Sequence, residues 1–422
     1  MLTVRTRCRA GRVGDRGTRD AAYAPTMDTT GFDSTAPLPG PPDPWASTEQ
    51  PSHRDGPPFH MTEMIAAEPS VAERILAAGA TPGSTAAQLA AAVTKAVRAG
   101  SPVTITGCGT SEHAAIAVAE ILREATGSPL IWSAQAFELS LDTLTSGLVI
   151  GISHEGATGA TNAALTTARA AGARTALITV TRRSPGAALA DIVVETHELD
   201  QSWCHTVGYL SPIAAATAVA AHITGVPVAP AAAGDLLRSG CSAEARERAG
   251  AIADAFVAVD RSIVLASGAD RAAGRELVLK VEEGAWLPAA YRDLETFLHG
   301  HLAATGPTTG LILIATDRRA LLERGARFRG ALAAARVIGM PTAAIVSAGY
   351  DAQLSDELTS AGRIIVADTA ELPPAVAALL GSATALQTLT DRLARSRNIN
   401  PDPIHRDVDR YRQAADAADA SN

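Results

Sequence analysis

Residues 262–280, SIVLASGADRAAGRELVLK, repeat the pattern of residues 102–120, PVTITGCGTSEHAAIAVAE. Residues 310–349, GLILIATDRRALLERGARFRGALAAARVIGMPTAAIVSAG, repeat 147–181, GLVIGISHEGATGATNAALTTARAAGARTALITVT, in the same order and at a similar gap. Each member of a pair is a short β-branched run that closes at small residues and enters an alanine-rich stretch with helical spacing. Alternation of this kind builds parallel sheets covered by helices on both faces, and its recurrence means two such units in one chain. The fold class is therefore α/β, with two tandem doubly wound parallel sheets. The units are placed at 61–225 and 250–392, joined by the alanine-rich helical segment 226–249 and followed by 393–422.

Residues 61–100 carry helical patterning broken at ATPGST, whereas residues 1–60, with APLPGPPDPW and RDGPPFH, show no apolar periodicity. They read as a disordered tail, or as residues ahead of a start at Met27 or Met61. Their arginine-rich opening lacks the apolar stretch of a secretory signal.

At 422 residues and 47% hydrophobic content, the chain can bury two ordinary cores. A net charge of −8, with no basic clustering beyond the extreme N-terminus, argues against a nucleic-acid partner. No run of 18 apolar residues is free of charge or turn signals, so no membrane partner is expected. The four cysteines, Cys8, Cys108, Cys204 and Cys241, have no CxxC or paired spacing. A reduced, cytoplasmic protein that binds a small molecule is the expectation.

The first unit holds the more informative turns. GCGTSEH (107–113) closes a strand, exposes Thr110 and Ser111 after Gly109, and enters a helix. SHEGAT (153–158) offers Ser153 and Thr158 in the same position of the next strand–helix junction, with Glu155 between them. Hydroxyls beside unpaired helix N–H groups suit an anion, although such residues also serve simply as caps. Ligands of open parallel sheets bind beyond the carboxyl ends of the strands, where these turns lie. The second unit has SGAD and ATDRRA instead, so the first is expected to hold the ligand.

LKVEEGAWLPAAYRDLETFLHGHLAA (279–304) is the second constellation. Lys280 and Glu283 are three apart and share a helix face, either as a surface ion pair or as an ammonium that tunes a carboxylate. The chain has two lysines, Lys95 and Lys280, against thirty-four arginines, which favours a role that a guanidinium cannot fill. His299 precedes Gly300, where a sharp turn can present an imidazole for proton transfer. His299 and His301 also invite a metal reading, but no third ligand stands at a suitable spacing, and no metal or cofactor is expected. In SWCHTVGY (202–209), His205 and Thr206 are either loop residues beside a packed Trp203 or part of the site.

Together, the two repeats, CGTSEHA, ISHEGATGAT and LKVEEGAWLPAAYRDLETFLHG resemble the double-SIS (sugar isomerase) family over roughly residues 61–410. The likeness is to the isomerase half of glutamine–fructose-6-phosphate aminotransferase and to related phosphosugar isomerases and deaminases. It implies that Gly109, Thr110, Ser111, Ser153, His154 and Thr158 bind the sugar phosphate, with Glu155, His205 and Thr206 alongside. It implies that Glu283 moves a proton between C1 and C2 through an enediol-type intermediate beside Lys280. His299 would open the sugar ring from a second subunit, so a homodimer with a shared active site is implied. Three departures matter: Glu155 stands where the family has serine, His205 replaces a loop serine, and the C-terminal segment offers His405 and Arg406 where the aminotransferase has lysine. Arg406 is thereby a substrate-binding candidate in a C-terminal segment that contributes to the site. No glutaminase half is expected ahead of the repeats. The expected activity is metal-free aldose–ketose isomerisation of a sugar phosphate or related anionic sugar. An aminosugar-phosphate deaminase/isomerase and a non-catalytic sugar-binding regulator are the alternatives.

Overall fold

The computed structural model describes residues 33–39, 53–142 and 145–419. Two helices, α1 (His60–Gly79) and α2 (Thr85–Arg98), precede the first sheet. That sheet takes β1 (Val103–Gly107), α3 (Thr110–Thr126), β2 (Ile131–Gln135), α4 (Ala136–Ser140), β3 (Leu148–Ile152), α5 (Gly159–Ala170), β4 (Arg174–Thr179) and β5 (Ile192–Glu195). Three helices follow: α6 (Val207–Thr224), α7 (Pro230–Gly240) and α8 (Ala243–Ala255). The second unit runs β6 (Arg261–Ala266), α9 (Asp270–Ala285), β7 (Ala289–Asp293), α10 (Leu294–Leu298), β8 (Thr309–Ala315), α11 (Leu321–Ile338), β9 (Thr342–Ser347), α12 (Ala348–Asp351) and β10 (Gly362–Val366). The chain closes with α13 (Pro374–Ser396) and α14 (Asp409–Asp419).

Both sheets have five strands, all parallel, in the orders β2-β1-β3-β4-β5 and β10-β9-β8-β6-β7. Read from the other edge, the second order is the first with five added to each strand number. The duplication therefore extends to topology. In each sheet the winding reverses between the first and third strands of the unit, and the crevice beyond that reversal is where open parallel sheets take ligands. The central strands β1, β3 and β8 are buried at every position, as strands covered on both faces must be.

The edge strands β2 and β7 have no counterpart among the strands read from the sequence. Only Ile131 of β2 is fully buried, and every residue of β7 is half-exposed, so neither carries an apolar run. β7 also interrupts the stretch 279–304, separating Lys280 and Glu283 on α9 from His299 beyond α10.

The helices between the sheets bind the units into one body. α3 and α9, equivalent in the repeat, pack on each other, and α13 packs on α7, α8 and α9. α6 is, among the described residues, the one helix long and apolar enough to cross a membrane, but its 18-residue span is 78% buried inside the fold. The segment 226–249 holds α7 and the first half of α8, and α13 runs through position 393, so no break in the fold falls at 249 or 392.

The tail reading needs correction where the structure describes it. Leu38 is buried, its N–H donates to Glu198 Oε2 at 3.1 Å, and Arg74 bridges Glu198 and the Thr35 carbonyl. Phe59 is also buried, and helix α1 begins at His60, capped from a distance by Asp402, whose carboxylate accepts the N–H groups of His60 and Met61 at 2.9 Å each. Leu38 and Phe59 supply apolar anchors too isolated to make a periodic pattern. Residues 1–32 and 40–52 lie outside the described residues.

Candidate functional site

The crevice between β1 and β3 is lined by two turns. After β1 the chain passes through Gly109 at φ 56°, ψ −127°, a conformation open to glycine, and starts α3 with no side-chain cap. After β3, Thr158 precedes α5, again without a side-chain cap. Neither helix start is covered by a cap side chain. At α3 the Ser111 and Glu112 N–H groups already donate to the Cys108 and Gly109 carbonyls at 3.1 and 2.9 Å, so an anion there would meet only the remaining first-turn N–H groups.

The hydroxyls expected to share that task divide into two groups. Ser153 Oγ and Thr158 Oγ1 lie 3.0 Å apart and hold each other at the turn, with Ser153 buried and Thr158 exposed. Ser111 is half-buried on the first turn of α3. Thr110 turns instead toward α9, its Oγ1 donating to Glu276 Oε1 at 3.3 Å. It joins the turn to the second unit rather than facing the crevice.

His154 lies beneath this turn. Its Nε2 accepts the Asp200 N–H at 3.0 Å, which puts the ring proton on Nδ1. Burial, with the neighbouring His205, lowers its pKa to about 3 against the pull of Asp200. The rings of His154 and His205 are 5.3 Å apart, and burial with the Lys280 ammonium lowers His205 to about 4. Both rings are therefore neutral at physiological pH. Asp200 organises the loop that carries them, accepting N–H groups of Ser202, Thr206 and Gly208 at 3.3, 2.7 and 3.1 Å. Thr206, read as a site residue, is fully buried, and its carbonyl accepts from Gln387, so it supports the loop from below. Glu155 is half-buried in the turn itself.

The charged centre comes from α9. Lys280 is fully buried, with Nζ 2.5 Å from Glu283 Oε2 and 3.7 Å from Glu276 Oε1. Burial opposes its charge, but Glu283 and Glu276 outweigh that and hold the ammonium protonated above its usual range. Burial raises the Glu283 carboxyl, which Lys280 counters without cancelling. At Glu276 the balance reverses. Burial pushes it up, while Lys280, His113 and Thr110 together hold it below the ordinary carboxylate range.

Glu276 and its partner His113, whose Nδ1 lies 2.7 Å from Glu276 Oε2, were not among the residues picked out from the sequence. The signal was present one helical turn before Lys280, since positions 276, 280 and 283 follow the four-then-three spacing of one helix face. Asp200 had no such signal, because its role is set by the path of a loop.

These groups meet because α9, from the second unit, packs against α3 of the first. A Cβ on Gly109 would lie 3.9 Å from Leu279 Cδ2, and Cys204 Sγ lies 3.9 Å from the Lys280 carbonyl. Arg406 reaches the same region with its guanidinium 4.9 Å over the Trp203 ring, and its charge acts on His205. Within one chain His299 does not join this centre. Its side chain is 75% exposed and pairs with Glu295 at 3.3 Å, on the second unit. His301 is also exposed, and among the described residues no group of three or more His, Cys, Asp or Glu is placed to hold a metal ion.

Residues 99–224 match the family model of the SIS domain. The chain's fold is similar to the C-terminal domain of glucosamine-fructose-6-phosphate aminotransferase from Francisella tularensis, with TM-score 0.70 and 16% identity over 82% of this chain and 98% of that one. It is also similar to tagatose-6-phosphate ketose/aldose isomerase from Escherichia coli, with TM-score 0.64 and 18% identity over 84% and 97%. A third similar structure is glucosamine-6-phosphate deaminase from Thermotoga maritima, with TM-score 0.59 and 16% identity over 81% and 96%. Comparison with curated protein sequences finds no match.

Proposed function

We propose that this chain, which carries a SIS domain at residues 99–224 and repeats its fold in a second unit, is an aldose–ketose isomerase acting on a sugar phosphate or related anionic sugar. The observation that carries the reading is the buried ammonium of Lys280 held 2.5 Å from Glu283 at the edge of the first unit's crevice. A lysine kept charged inside a protein needs a reason, and a carboxyl raised by burial beside it has the properties of a general base for a C–H proton.

In the proposed reaction Glu283 removes the proton from C2 of the open aldose while the carbonyl oxygen at C1 gains negative charge. Lys280 donates a hydrogen bond to that oxygen. The enediolate then takes the proton back at C1 from Glu283 while the C2 hydroxyl proton passes to the C1 oxygen. The C2 hydroxyl thus becomes the ketone, the C1 oxygen becomes the new hydroxyl, and no proton is gained or lost overall. The first-turn N–H groups of α3 and α5, with Ser111, Ser153 and Thr158, bind the anionic end of the sugar. Neutral His154 and His205 hydrogen-bond hydroxyls without adding charge. Arg406 brings the C-terminal segment to the same ligand. The proposed site spans the two units, with the cradle from 61–225, the proton-transfer pair from 250–392 and the arginine from 393–422.

Ring opening is assigned to His299 of a second copy, in a cytoplasmic homodimer. The exposure of this imidazole, away from Glu283 of its own chain, favours that arrangement. Heterodimers of His299→Ala and Glu283→Gln subunits should then regain part of the activity that each homodimer lacks, and no regain in verified heterodimers removes the shared site.

The direct test is incubation with a panel of phosphorylated and unphosphorylated aldoses in deuterium oxide. Isomerisation with deuterium appearing at the carbon that accepts the proton supports the reading. Saturable sugar binding with neither turnover nor exchange replaces it with a binding protein, and ammonia release from aminosugar phosphates replaces it with a deaminase.

A further inference from the structure

Glu276 occupies an unusual position between its neighbours. Both of its oxygens are engaged from α3, Oε1 by the Thr110 hydroxyl at 3.3 Å and Oε2 by His113 Nδ1 at 2.7 Å. Lys280 is one helical turn away on the same face, yet its Nζ stands 3.7 Å from Glu276 and 2.5 Å from Glu283. Two carboxylates therefore compete for one buried ammonium, and the one already supplied with donors from α3 takes the smaller share.

We propose that His113 is a positioning residue that decides this competition. By donating from Nδ1 to Glu276 it satisfies that carboxylate and leaves the Lys280 ammonium to Glu283. Its side chain is 15% exposed while that of Glu276 is fully buried, so the histidine forms the lid of the buried pair. Thr110 assists from the same helix with a longer bond. Position 113 corresponds, in the repeat, to Ala273 of α9, where no such donor exists. The α3 donor set is thus a property of the first unit alone.

The surroundings of Glu276 and Glu283 define what else acts on them. Glu276 is faced by His113 and Thr110 from α3, by Lys280 from its own helix, by Cys204 and His205 from the loop, by Tyr209 from α6 and by Glu68 from α1. Glu283 is faced by Lys280, Glu276, His113 and Cys204. Lys280 is the only lysine in this set. Removing the His113 donor makes Glu276 hungrier for Lys280. The ammonium moves toward Glu276, and Glu283, buried and less stabilised as an anion, holds its proton to higher pH.

The inference rests on the proposed isomerase reading only for its kinetic consequence, so its test reads the carboxyl group directly. Protein labelled with carbon-13 at glutamate carboxyls is titrated by NMR, and the Glu283 signal is identified by its absence in Glu283→Gln. In His113→Ala the Glu283 titration is expected to move up by about 0.5–1 pH unit. His113→Asn, whose amide nitrogen can stand near the place of Nδ1, is expected to restore most of it. Thr110→Val is expected to give a smaller upward shift and provides the measurement if His113→Ala fails to fold. In an active enzyme the acid limb of kcat against pH moves with the carboxyl, while a packing defect lowers kcat without moving the limb. A Glu283 titration that stays in place in folded His113→Ala, or in Thr110→Val where the alanine variant does not fold, overturns the proposal. A shifted carboxyl in a protein that turns over no sugar leaves the positioning role intact and removes the isomerase.

Discussion

The two crevices, one in each unit, start from the same topology and end in opposite chemistry. In the first, the helix N-termini face hydroxyls and small residues, with Ser153 and Thr158 paired to each other. In the second, the chain has used its own carboxylates as the anions. Asp317 accepts the Ala269 N–H at 2.8 Å, and Asp270 accepts the N–H groups of Thr316 and Asp317 at 2.7 and 2.9 Å. A Cβ on Gly268 would come within 2.2 Å of Asp317 Oδ2 and 2.7 Å of the Arg324 guanidinium, so the space a ligand would need is filled. Arg319 and Arg324 then neutralise Asp317 at 2.7 and 3.1 Å.

The contrast extends to the helices that cross between units. α9 sends Glu276, Lys280 and Glu283 toward the first crevice. The equivalent positions of α3 are Ile116, Glu120 and Arg123. Glu120 lies 3.7 Å from Arg319, and Glu124 lies 3.2 Å from it, so α3 closes the ion pairs of the second crevice. One duplicated contact gathers a buried lysine between two glutamates, and the other is an ion-paired brace. A helix that belongs to one repeat by sequence serves the other by position.

Substitution at equivalent positions of the two helices breaks this comparison most sharply. Glu283→Gln is expected to reduce isomerisation by roughly 10²–10⁴-fold, as loss of a general base does, while sugar affinity stays within about threefold. Arg123→Gln, its counterpart on α3, removes a half-exposed side chain paired with Glu120 at 3.5 Å and is expected to leave turnover within about twofold. Steady-state kinetics and equilibrium binding of the same sugar measure both. Comparable losses in the two variants would mean that the asymmetry of the repeats is structural only.

The second crevice predicts a stability effect in place of a kinetic one. Asp317→Asn leaves Arg319 and Arg324 without their shared carboxylate and is expected to cost about 2–4 kcal/mol in denaturant unfolding, with turnover by the folded protein preserved. Burial raises the Asp317 carboxyl, but Arg319 and the Ala269 N–H hold it below its ordinary value of 3.8. Its contribution is therefore complete above that value and disappears as pH falls through the lower folded-state value. The stability gap between wild type and variant should close on acidification in that range. A variant as stable as wild type at neutral pH would show that the arginines need no partner there.

Much of this was legible before the fold was in hand, and the exceptions share a cause. The repeat was visible because central strands buried on both faces are apolar at every position, as in VTITG and LVIGI. β2 and β7 lie at sheet edges, half in contact with solvent, and leave no such mark. Lys280 and Glu283 could be read because helix geometry makes three-residue neighbours meet. Thr110 was expected in the crevice, and the structure turns it to Glu276, a partner 166 residues away that no local pattern announces. Asp200 was invisible for the same reason. His299 was legible as a presented histidine, but its address depends on what its exposed face meets.

The smallest expected effect concerns Glu155, the residue that distinguishes the first crevice from a simple anion cradle. Two unit charges about 5 Å apart, at an effective dielectric near 20, repel by roughly 3 kcal/mol, and a phosphate dianion about doubles that. A carboxylate therefore cannot take a phosphate-binding serine's place while pointing the same way. In the proposed site the anion contacts come from the α5 N-terminus, Ser153 and Thr158, so Glu155 is expected to face sugar hydroxyls or a cation while phosphate stays with those groups. Glu155→Ser, assayed with paired sugars that differ only in the terminal phosphate, should leave an existing preference for the phosphorylated sugar within about threefold. If wild type rejects the phosphorylated sugar and the serine variant accepts it, the carboxylate faces the anion position after all. The first crevice would then resemble the second in one respect, carrying a carboxylate of its own as a filter where Asp317 is a plug.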